Sequence, residues 1–279
     1  MDLSTVTDFL PATDAAWRYG DAWLGGGTWL FSVPQPRLRR LLDLHAFGWT
    51  PVAEAENGVL LGATCTFAEL AGWRPGRAEY AGAARLARQC CHALLGSFKV
   101  HNVATVGGNI CLALPAGPMT ALATALDGAA RIRVPGGAPR ASIPVGDLVT
   151  GDGRTTLRPG ELLTHVYLPS HALTGHLAFR QVSLSPLGRS AALVIGRRDI
   201  AAGPPGDAVT GPGTTVITVT ASTPHPVRLR FPAPPTPAEA LAALDAAVPE
   251  YLDDVHGGGR WRAAMTRRLV TEVLAEVAG

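Results

Sequence analysis

The chain has 279 residues, of which 47% are apolar and 16% charged, so it is long enough to bury one large core or two smaller ones. Its 24 Lys and Arg nearly balance its 22 Asp and Glu, and the formal net charge of +2 includes no block of like charges. This composition argues against a nucleic-acid partner, and no stretch approaches the roughly 18 apolar residues of a membrane-spanning helix.

The amino terminus and the cysteines bear on location and on metal binding. Residues 1–5 are not basic and lead into no apolar segment, so no signal peptide is predicted and we expect a cytoplasmic protein. The cysteines show no C-x-x-C spacing and no histidine at metal spacing, which predicts neither an iron–sulfur cluster nor a zinc site in this chain. We expect buried free thiols at Cys65, Cys90, Cys91 and Cys111.

In chain order, the segment Pro11 to Tyr19 is a short helix candidate that Gly20 ends, and Ala22 to Leu24 is a strand that runs into a glycine turn. Gly58 to Thr66 has the pattern of a buried strand, and Thr66 with Glu69 fits a capping box that opens a helix. A helix from Gly82 to Phe98 is predicted to turn one apolar face to the core. That face consists of Ala84, Ala87, Cys91, Leu94, Leu95 and Phe98. A helix at 118–126 and strands at 131–134 and 161–169 follow.

The remaining third is predicted to be a separate folding unit. Strand patterns occupy 177–182, 191–195 and 214–220, the last alternating as a half-buried strand does. The Gly- and Pro-rich loop at 201–212 is expected to be mobile. Two helices finish the chain: one opens with a capping box at Thr236 and Glu239, with Pro237 in its first turn, and the other runs from Gly259 to Val277 with one broad apolar face.

Two side-chain-poor turns indicate a phosphate-binding site. Gly25-Gly26-Gly27-Thr28 follows a predicted strand, and Thr105-Val106-Gly107-Gly108-Asn109 follows the long helix. Small residues let backbone N–H groups approach a phosphate, and the Thr and Asn side chains add polar contacts. Taken alone, Gly25 to Gly27 also fits an ordinary hairpin turn. Two such turns suggest one diphosphate held between them.

Motifs that carry chemistry by themselves are absent from the sequence. It contains no G-x-S-x-G elbow, no H-E-x-x-H, no P-loop and no G-x-G-x-x-G after a strand. No catalytic residue is therefore predicted, and any redox chemistry would be carried by a cofactor.

The ordered motifs resemble the FAD-binding subunit of molybdenum hydroxylases, the flavoproteins of xanthine dehydrogenases and carbon monoxide dehydrogenases. The most specific piece is Thr-Val-Gly-Gly-Asn at 105–109 in its context, Val100 to Asn109. The other matching pieces are Gly26-Gly27-Thr28, Asp43-Leu44, Leu61-Gly62-Ala63, Ala125 to Gly128, Gly160 to Leu163, Gly188 to Val194 and Tyr251 to Leu274. The resemblance thus covers nearly the whole chain.

The resemblance implies an α+β fold: a two-lobed FAD-binding domain of the vanillyl-alcohol-oxidase (PCMH) type, followed by a C-terminal domain of a sheet and helices like that of carbon monoxide dehydrogenase flavoprotein. It places the FAD-binding domain at 1–170, with lobes at about 1–52 and 53–170, and the C-terminal domain at 175–279. It also implies an electron-transfer subunit that takes electrons from an iron–sulfur subunit and passes them to NAD, a quinone or oxygen. The substrate would be hydroxylated on a molybdopterin-binding subunit.

Carried over by position, the resemblance makes the two turns wrap the FAD diphosphate and sets the isoalloxazine ring between the lobes and the C-terminal domain. Leu95 and Leu163 match positions that line the flavin, and Arg180 stands where a Lys is usual. Asn102 is included, although it also fits a turn-former that bonds its own backbone. The predicted cofactor-binding residues are Leu24, Gly25, Gly26, Gly27, Thr28, Trp29, Leu30, Leu95, Asn102, Thr105, Val106, Gly107, Gly108, Asn109, Leu163 and Arg180.

The sequence departs from the family pattern at several positions. Trp29 stands where an Asp or Glu is common, His101 where an Arg or Lys is common, and Pro118 where an Asp usually contacts the FAD. Losing that carboxylate costs about 1–3 kcal/mol if its partner stays buried and unpaired. Backbone N–H donors survive any side-chain change, so the two turns still predict FAD binding.

Two other readings stay open at this point. One is a stand-alone FAD-dependent oxidase or dehydrogenase that acts on its own small-molecule substrate, which the departures at Trp29 and Pro118 favour. The other is a scaffold without flavin. Trp29 and Trp23 fit core aromatics better than rings stacked on a cofactor, and Lys99, His101 and Arg180 also fit solvated charges.

Overall fold

The computed structural model describes residues 3–138, 140–200 and 211–278. Its first sheet is small and parallel, with strands β1 (Asp8–Pro11), β2 (Asp21–Leu24) and β3 (Arg40–Asp43) in the order β1-β3-β2. Because the strands are parallel, the segments that leave β1, β2 and β3 all start from one edge of the sheet. The first glycine turn leaves from that edge.

The second sheet is antiparallel and has five strands in the order β4-β5-β10-β6-β7. The strands of this region are β4 (Val52–Ala55), β5 (Gly58–Gly62), β6 (Ala129–Arg133), β7 (Ile143–Pro144), β8 (Val149–Gly151), β9 (Arg154–Thr155) and β10 (Leu162–Pro169), with β8 and β9 pairing as a separate ribbon. Its helices are α1 (Phe67–Ala71), α2 (Ala81–Ala93), α3 (Phe98–His101), α4 (Val106–Leu112), α5 (Pro118–Ala125), α6 (Val145–Leu148) and α7 (Ser170–Leu173). Helix α4 packs on β5 and β10, which sets the second glycine turn beside this sheet.

The third sheet is an antiparallel meander with its strands in chain order. It consists of β11 (His176–Val182), β12 (Ala192–Arg198), β13 (Thr215–Thr220) and β14 (Val227–Phe231), and the chain ends with α8 (Pro237–Ala247) and α9 (Gly259–Ala278). Helix α9 packs on β11 and β12, while α2 and α5 pack on strands of the same sheet. The sheet is thus covered by helices from both halves of the chain.

That double cover corrects the prediction of a half-buried strand at 214–220, since every residue of β13 is buried. Its threonines Thr218 and Thr220 are as buried as Ile217 and Val219. Strand β14 was not predicted, and residues 201–210 of the loop expected to be mobile lie outside the described residues.

Two helix predictions are wrong in detail. No helix forms at 11–19; β1 ends at Pro11, and the amide of Ala12 donates to the carbonyl of Asp43 (2.9 Å), which extends the pairing with β3. Helix α2 ends at Ala93 rather than Phe98, because Leu94 has extended backbone. Leu95 and Phe98 are therefore exposed instead of facing the core.

Both predicted capping boxes are confirmed. Thr66 accepts a hydrogen bond from the amide of Glu69 at the start of α1, and Thr236 accepts one from the amide of Glu239 at the start of α8. In the return bonds, each Glu carboxylate accepts from the threonine amide, at 2.8 Å in α1 and 2.7 Å in α8. These four-residue signals are local, which is why the sequence predicts them well.

Three further findings concern the described residues. No helix among them has the length and hydropathy to cross a membrane, and they hold no group of three or more His, Cys, Asp or Glu side chains placed to bind a metal ion. Cys65, Cys90 and Cys91 are buried free thiols, and burial raises the pKa of each. Cys111 is exposed as a residue, while burial of its thiol raises the pKa of that group to about 12.

Candidate functional site

The two predicted turns lie against each other. A methyl group built on Gly26 would lie 1.5 Å from the carbonyl oxygen of Val103, and one built on Gly25 would lie 2.9 Å from Oγ1 of Thr105. Such short contacts exclude any side chain at Gly26. The absence of Cβ atoms here is therefore what lets the segment that leaves β2 touch the segment that opens α4.

The first turn presents a run of unused amides. Between residues 26 and 30, no backbone N–H donates to a protein acceptor in the described part of the chain. The carbonyls of this turn are used instead: that of Gly27 accepts from the amide of Phe31 and that of Trp29 from the amide of Ser32, both at 2.9 Å. Successive free N–H groups in a turn form a concavity that binds anions.

The second turn uses its amides differently from the prediction. The amide of Val106 donates to Cys65 (2.8 Å) and that of Gly107 to Ala63 (2.9 Å), so both are committed to the chain that leaves β5. The amide of Gly108 donates to Oγ1 of Thr105, and the amide of Asn109 donates to the carbonyl of Thr105. The amides at 106–109 are thus not available to a phosphate.

What the second turn offers is the hydroxyl of Thr105 and a close backbone surface. Thr105 caps α4 by accepting the Gly108 amide at 3.1 Å, and its hydroxyl faces Gly25. A methyl group on Gly107 would lie 2.6 Å from Cβ of Ala63, so this glycine serves the packing of α4 against the sheet. The Ala63 contact has no signal in the sequence.

Asn109 links the second turn to α5. Its side-chain Oδ1 accepts the amide of Met119 at 3.0 Å, and Pro118 stands at the first position of α5 after the N-cap residue Gly117. Asn109 thus supplies the hydrogen bond that Gly117, which has no side chain, cannot supply. Pro118, where the resemblance leads us to expect an aspartate, is thus the first residue of this helix.

Two predicted flavin contacts have other roles in the structure. The side chain of Leu163 is 2% exposed and belongs to the main hydrophobic core. Arg180 pairs with Glu272 (3.2 Å) and Glu276 (2.8 Å) of α9, so its guanidinium is already neutralised. The flavin contacts of Leu163 and Arg180 therefore stay predictions, with Leu163 packed in the core and Arg180 paired with two carboxylates.

The remaining predicted residues differ in exposure. Leu24 is buried at the end of β2, Leu30 is half-buried, and Thr28, Trp29 and Asn102 are exposed. Among the large apolar side chains left exposed in the described residues, Trp29, Leu95, Phe98 and Val103 lie on the two glycine turns or on the segment that leads to the second. Exposed apolar groups around a polar backbone cradle suit a ligand with both a diphosphate and a planar ring.

The donor set therefore fits the FAD diphosphate at the first turn. It combines consecutive free amides, the Thr105 hydroxyl and a cradle that Cβ atoms would fill. The second turn offers a close backbone surface and the hydroxyl of Thr105, rather than the free amides that the sequence predicts.

Comparisons with known proteins bear on the family and the fold of this chain. Residues 5–171 match the family described as the FAD binding domain in molybdopterin dehydrogenase. A search of curated proteins finds no match.

Solved structures share the whole fold. The chain is similar to one from quinoline 2-oxidoreductase of Pseudomonas putida 86, at 18% identity and a TM-score of 0.76, over 100% of this chain and 98% of that one. It is similar to one from reconstituted CO dehydrogenase of Oligotropha carboxidovorans, at 20% identity and a TM-score of 0.78, over 99% of both chains. A carbon monoxide dehydrogenase chain from Hydrogenophaga pseudoflava gives 19% identity and a TM-score of 0.78, over 98% and 97%.

At these identities the structural likeness concerns the fold, and it confirms the predicted two-lobed FAD-binding fold with a C-terminal domain. The family match covers more than half of the chain, and the family it identifies is one of FAD-binding domains. The chain belongs to the family of FAD-binding domains of molybdopterin dehydrogenases, and it is an oxidoreductase flavoprotein whose cofactor is FAD.

Proposed function

We propose that this chain is the FAD-binding electron-transfer subunit of a molybdenum hydroxylase complex. It receives electrons from an iron–sulfur subunit and passes them to NAD⁺, a quinone or oxygen, while the substrate reacts on a molybdopterin-binding subunit. The observation that carries the proposal is the run of free amides at 26–30, packed against Thr105 in a chain of this family.

The chain's own residues bind and orient the cofactor. The amides at 26–30 donate to the diphosphate, and the Thr105 hydroxyl closes the cradle from the side of α4. Asn109 holds the start of α5 against this turn through the amide of Met119. When bound, FAD supplies the exchange between single-electron and paired-electron transfer.

The departures from the family pattern at Pro118 and Arg180 leave FAD binding more dependent on backbone groups. Pro118 offers no carboxylate at the start of α5, and Arg180 is paired with α9. Because backbone amides do not depend on side-chain identity, the free amides at 26–30 carry the larger part of diphosphate recognition.

Exposed apolar side chains support the presence of partner subunits. Leu184 and Leu187, in the connection between β11 and β12, are 61% and 82% exposed. Leu95 and Phe98 are also exposed, at 59% and 73%. Exposed apolar side chains of this size are a feature of surfaces that other chains cover. We propose 1–170 as the FAD-binding domain and 175–279 as the C-terminal domain that presents Leu184 and Leu187.

The test is the isolation of the chain from its native cells through an affinity tag. We expect the visible spectrum of a flavin and co-purification of one chain with iron–sulfur clusters and one with molybdopterin. A flavin-containing preparation without such chains, which itself oxidises a small molecule, would replace the proposal with the stand-alone flavoenzyme. A colourless protein that stays colourless after FAD is added would contradict both.

A further inference from the structure

The third sheet turns a polar row of side chains toward helix α5. Ile195 of β12 belongs to the same hydrophobic cluster as the residues of α5. The register places Thr218 of β13 opposite Ile195, and Arg228 of β14 opposite Thr218. Residues directly opposite each other in antiparallel strands share a face. Thr218 and Arg228 therefore lie on the face of the sheet that packs on α5.

The neighbouring row on this face is charged. Arg197 of β12 and Arg230 of β14 lie opposite Val216 of β13, one on each side. The carboxylate of Asp127, two residues beyond the end of α5, accepts from Nη2 of Arg197 (2.5 Å) and Nη2 of Arg230 (2.7 Å). It also accepts from Nη1 of Arg228 (3.0 Å). Asp127 thus joins the FAD-binding part to three arginines of the third sheet.

The charges of this cluster do not balance. Besides Asp127, its only carboxylate among the described residues is that of Asp199, which pairs with Arg197 at 2.7 Å. Three guanidinium groups thus face two carboxylates. His171, whose Nε2 lies 3.3 Å from Asp127, adds no negative charge. The cluster therefore carries a surplus of at least one positive charge at a largely buried position, where an unbalanced charge is costly.

Two polar atoms beside this surplus have no hydrogen-bond partner in the part of the chain that the structure describes. They are Nη1 of Arg230 and Oγ1 of Thr218, and both are shielded from solvent. Thr218 is fully buried. It lies diagonally across from Arg230 in the register, a spacing that a long side chain can span. Both atoms can donate a hydrogen bond, so a guest that accepts from both would satisfy them.

We propose that the position bounded by Thr218, Arg228 and Arg230 binds a small monovalent anion such as chloride. The anion accepts from the guanidinium and from the hydroxyl, and its charge balances the surplus of the cluster. A phosphate carries more charge and more oxygen atoms than one surplus charge and two free donors match. By offsetting the repulsion among the arginines, the anion stabilises the contact between Asp127 and the third sheet.

An ordered water molecule is the other guest that satisfies these two atoms. Water leaves the charge surplus unchanged, so its binding does not depend on which salt is present. A dependence of stability on the identity of the anion therefore distinguishes the two guests. This anion site involves neither the FAD cradle nor the partner subunits proposed above, and its failure would leave both proposals untouched.

The test compares thermal unfolding of the full chain in chloride and in gluconate, which is too bulky for a buried position. FAD is kept in excess and the ionic strength constant, so that cofactor occupancy and general screening stay equal. Arg230→Gln and Thr218→Val each remove one donor. Thr220→Val and Arg267→Gln are the matched controls. Thr220 is buried and without a hydrogen-bond partner among the described residues, but lies farther along β13 from Arg230, and Arg267 pairs with Asp245.

We expect the Tm of wild type to rise by about 2–4 °C when gluconate is replaced by chloride at about 0.1 M. Both controls should show the same rise, and Arg230→Gln and Thr218→Val should lose most of it. A rise that these two variants keep would place the anion elsewhere and overturn the proposal. Equal Tm values of wild type in the two salts would overturn it in favour of water.

A crystal of wild type soaked in bromide provides a measurement that needs no variant. We expect an anomalous difference peak within hydrogen-bond distance of Nη1 of Arg230 and Oγ1 of Thr218, since bromide replaces chloride at such positions. The absence of a peak there would contradict the proposal even if Thr218→Val or Arg230→Gln fails to fold.

Discussion

Gly26 is the residue on which the contact between the two turns depends most directly. With the carbonyl oxygen of Val103 only 1.5 Å from the position of a methyl group, Gly26→Ala must push the two turns apart. We expect FAD affinity to fall at least tenfold and the free energy of unfolding to drop by about 1–3 kcal/mol, as for overpacked interiors. Flavin fluorescence titration and urea unfolding measure the two effects.

Gly76→Ala is the matched control. A methyl group at Gly76 would lie 3.6 Å from the Glu54 carboxylate, at ordinary contact distance, and the amide that donates to Glu54 is retained. We expect both measured values to stay close to wild type. Unchanged FAD affinity in Gly26→Ala would mean that the turns do not form the cradle.

Asp127 gathers charges from both halves of the chain. Its carboxylate accepts from Arg197 (2.5 Å) and Arg230 (2.7 Å), and it lies 3.3 Å from Nε2 of His171. Arg228 adds a fourth contact at 3.0 Å. Burial would raise the pKa of Asp127, but the hydrogen bond from His171 and the charge of Arg197 outweigh burial and hold the pKa below its usual range.

The variant Asp127→Asn removes this charge and keeps the shape, and Asn tolerates the φ of +48° at this position. We expect a loss of about 3–5 kcal/mol in the free energy of unfolding at pH 7, because the arginines lose their shared counter-ion. A depressed pKa stabilises the fold above the unfolded value of about 4 and stops doing so as the pH falls through the folded value. The difference from wild type should therefore shrink below about pH 4.

Urea unfolding at pH 7 and pH 3 measures this effect, with Asp147→Asn, an exposed carboxylate on α6, as the control. We expect the control to stay within about 0.5 kcal/mol of wild type at both values of pH. If Asp127→Asn lowers the free energy of unfolding equally at pH 7 and at pH 3, then shape rather than charge holds this cluster together.

At the scale of elements, helix α8 depends on its capping box. Thr236 accepts the Glu239 amide at 3.3 Å, and α8 packs on α9 and β14. Thr236→Ala leaves an amide of the first turn unpaired. We therefore expect the free energy of unfolding, measured by thermal unfolding, to fall by about 0.5–2 kcal/mol. Thr271→Ala, at an exposed position inside α9, is the control and should be neutral or slightly stabilising, since Ala favours helices most. Equal effects of the two changes would contradict a capping role.

The elements predicted correctly are those whose signals are local. Capping boxes, the start of α5 at Pro118 and the apolar runs of β5 and β10 need only a few neighbouring residues. The segment 11–19 does not form a helix because Ala12 bonds to Asp43, some thirty positions away. The full burial of β13 depends on α5, which belongs to the other half of the chain. Strand β14 was missed although Val227, Leu229 and Phe231 alternate with arginines, which is a usable signal.

The candidate site divides in the same way. The glycine turns are visible in the sequence because only small residues fit such contacts. The sequence does not show that the amides at 106–109 are used by Cys65, Ala63 and Thr105, or that Arg180 pairs with α9, since these contacts join distant segments. The resemblance placed a cation at Arg180; the carboxylates that neutralise it lie about ninety positions later.

At the scale of the whole molecule, the two proposed domains share a hydrophobic core. The largest cluster of buried apolar residues runs from Val59 to Ala221 and includes Leu177, Leu193 and Ile195 of the third sheet. Helices α2 and α5, within the FAD-binding part, pack on that sheet. The C-terminal sheet therefore supplies one wall of the core in which those helices are buried.

A fragment of residues 1–174, which ends after α7, should consequently not fold as the full chain does. It retains the turns that bind FAD, but it exposes the buried faces of α2 and α5 and leaves Asp127 without its arginines. We expect strong binding of a hydrophobic dye and no cooperative thermal unfolding, whereas the full chain unfolds in one transition. Calorimetry measures the cooperativity of unfolding, and dye fluorescence measures the exposed apolar surface of both proteins. A fragment that unfolds cooperatively and binds FAD as the full chain does would show that the FAD-binding part forms its core without the third sheet.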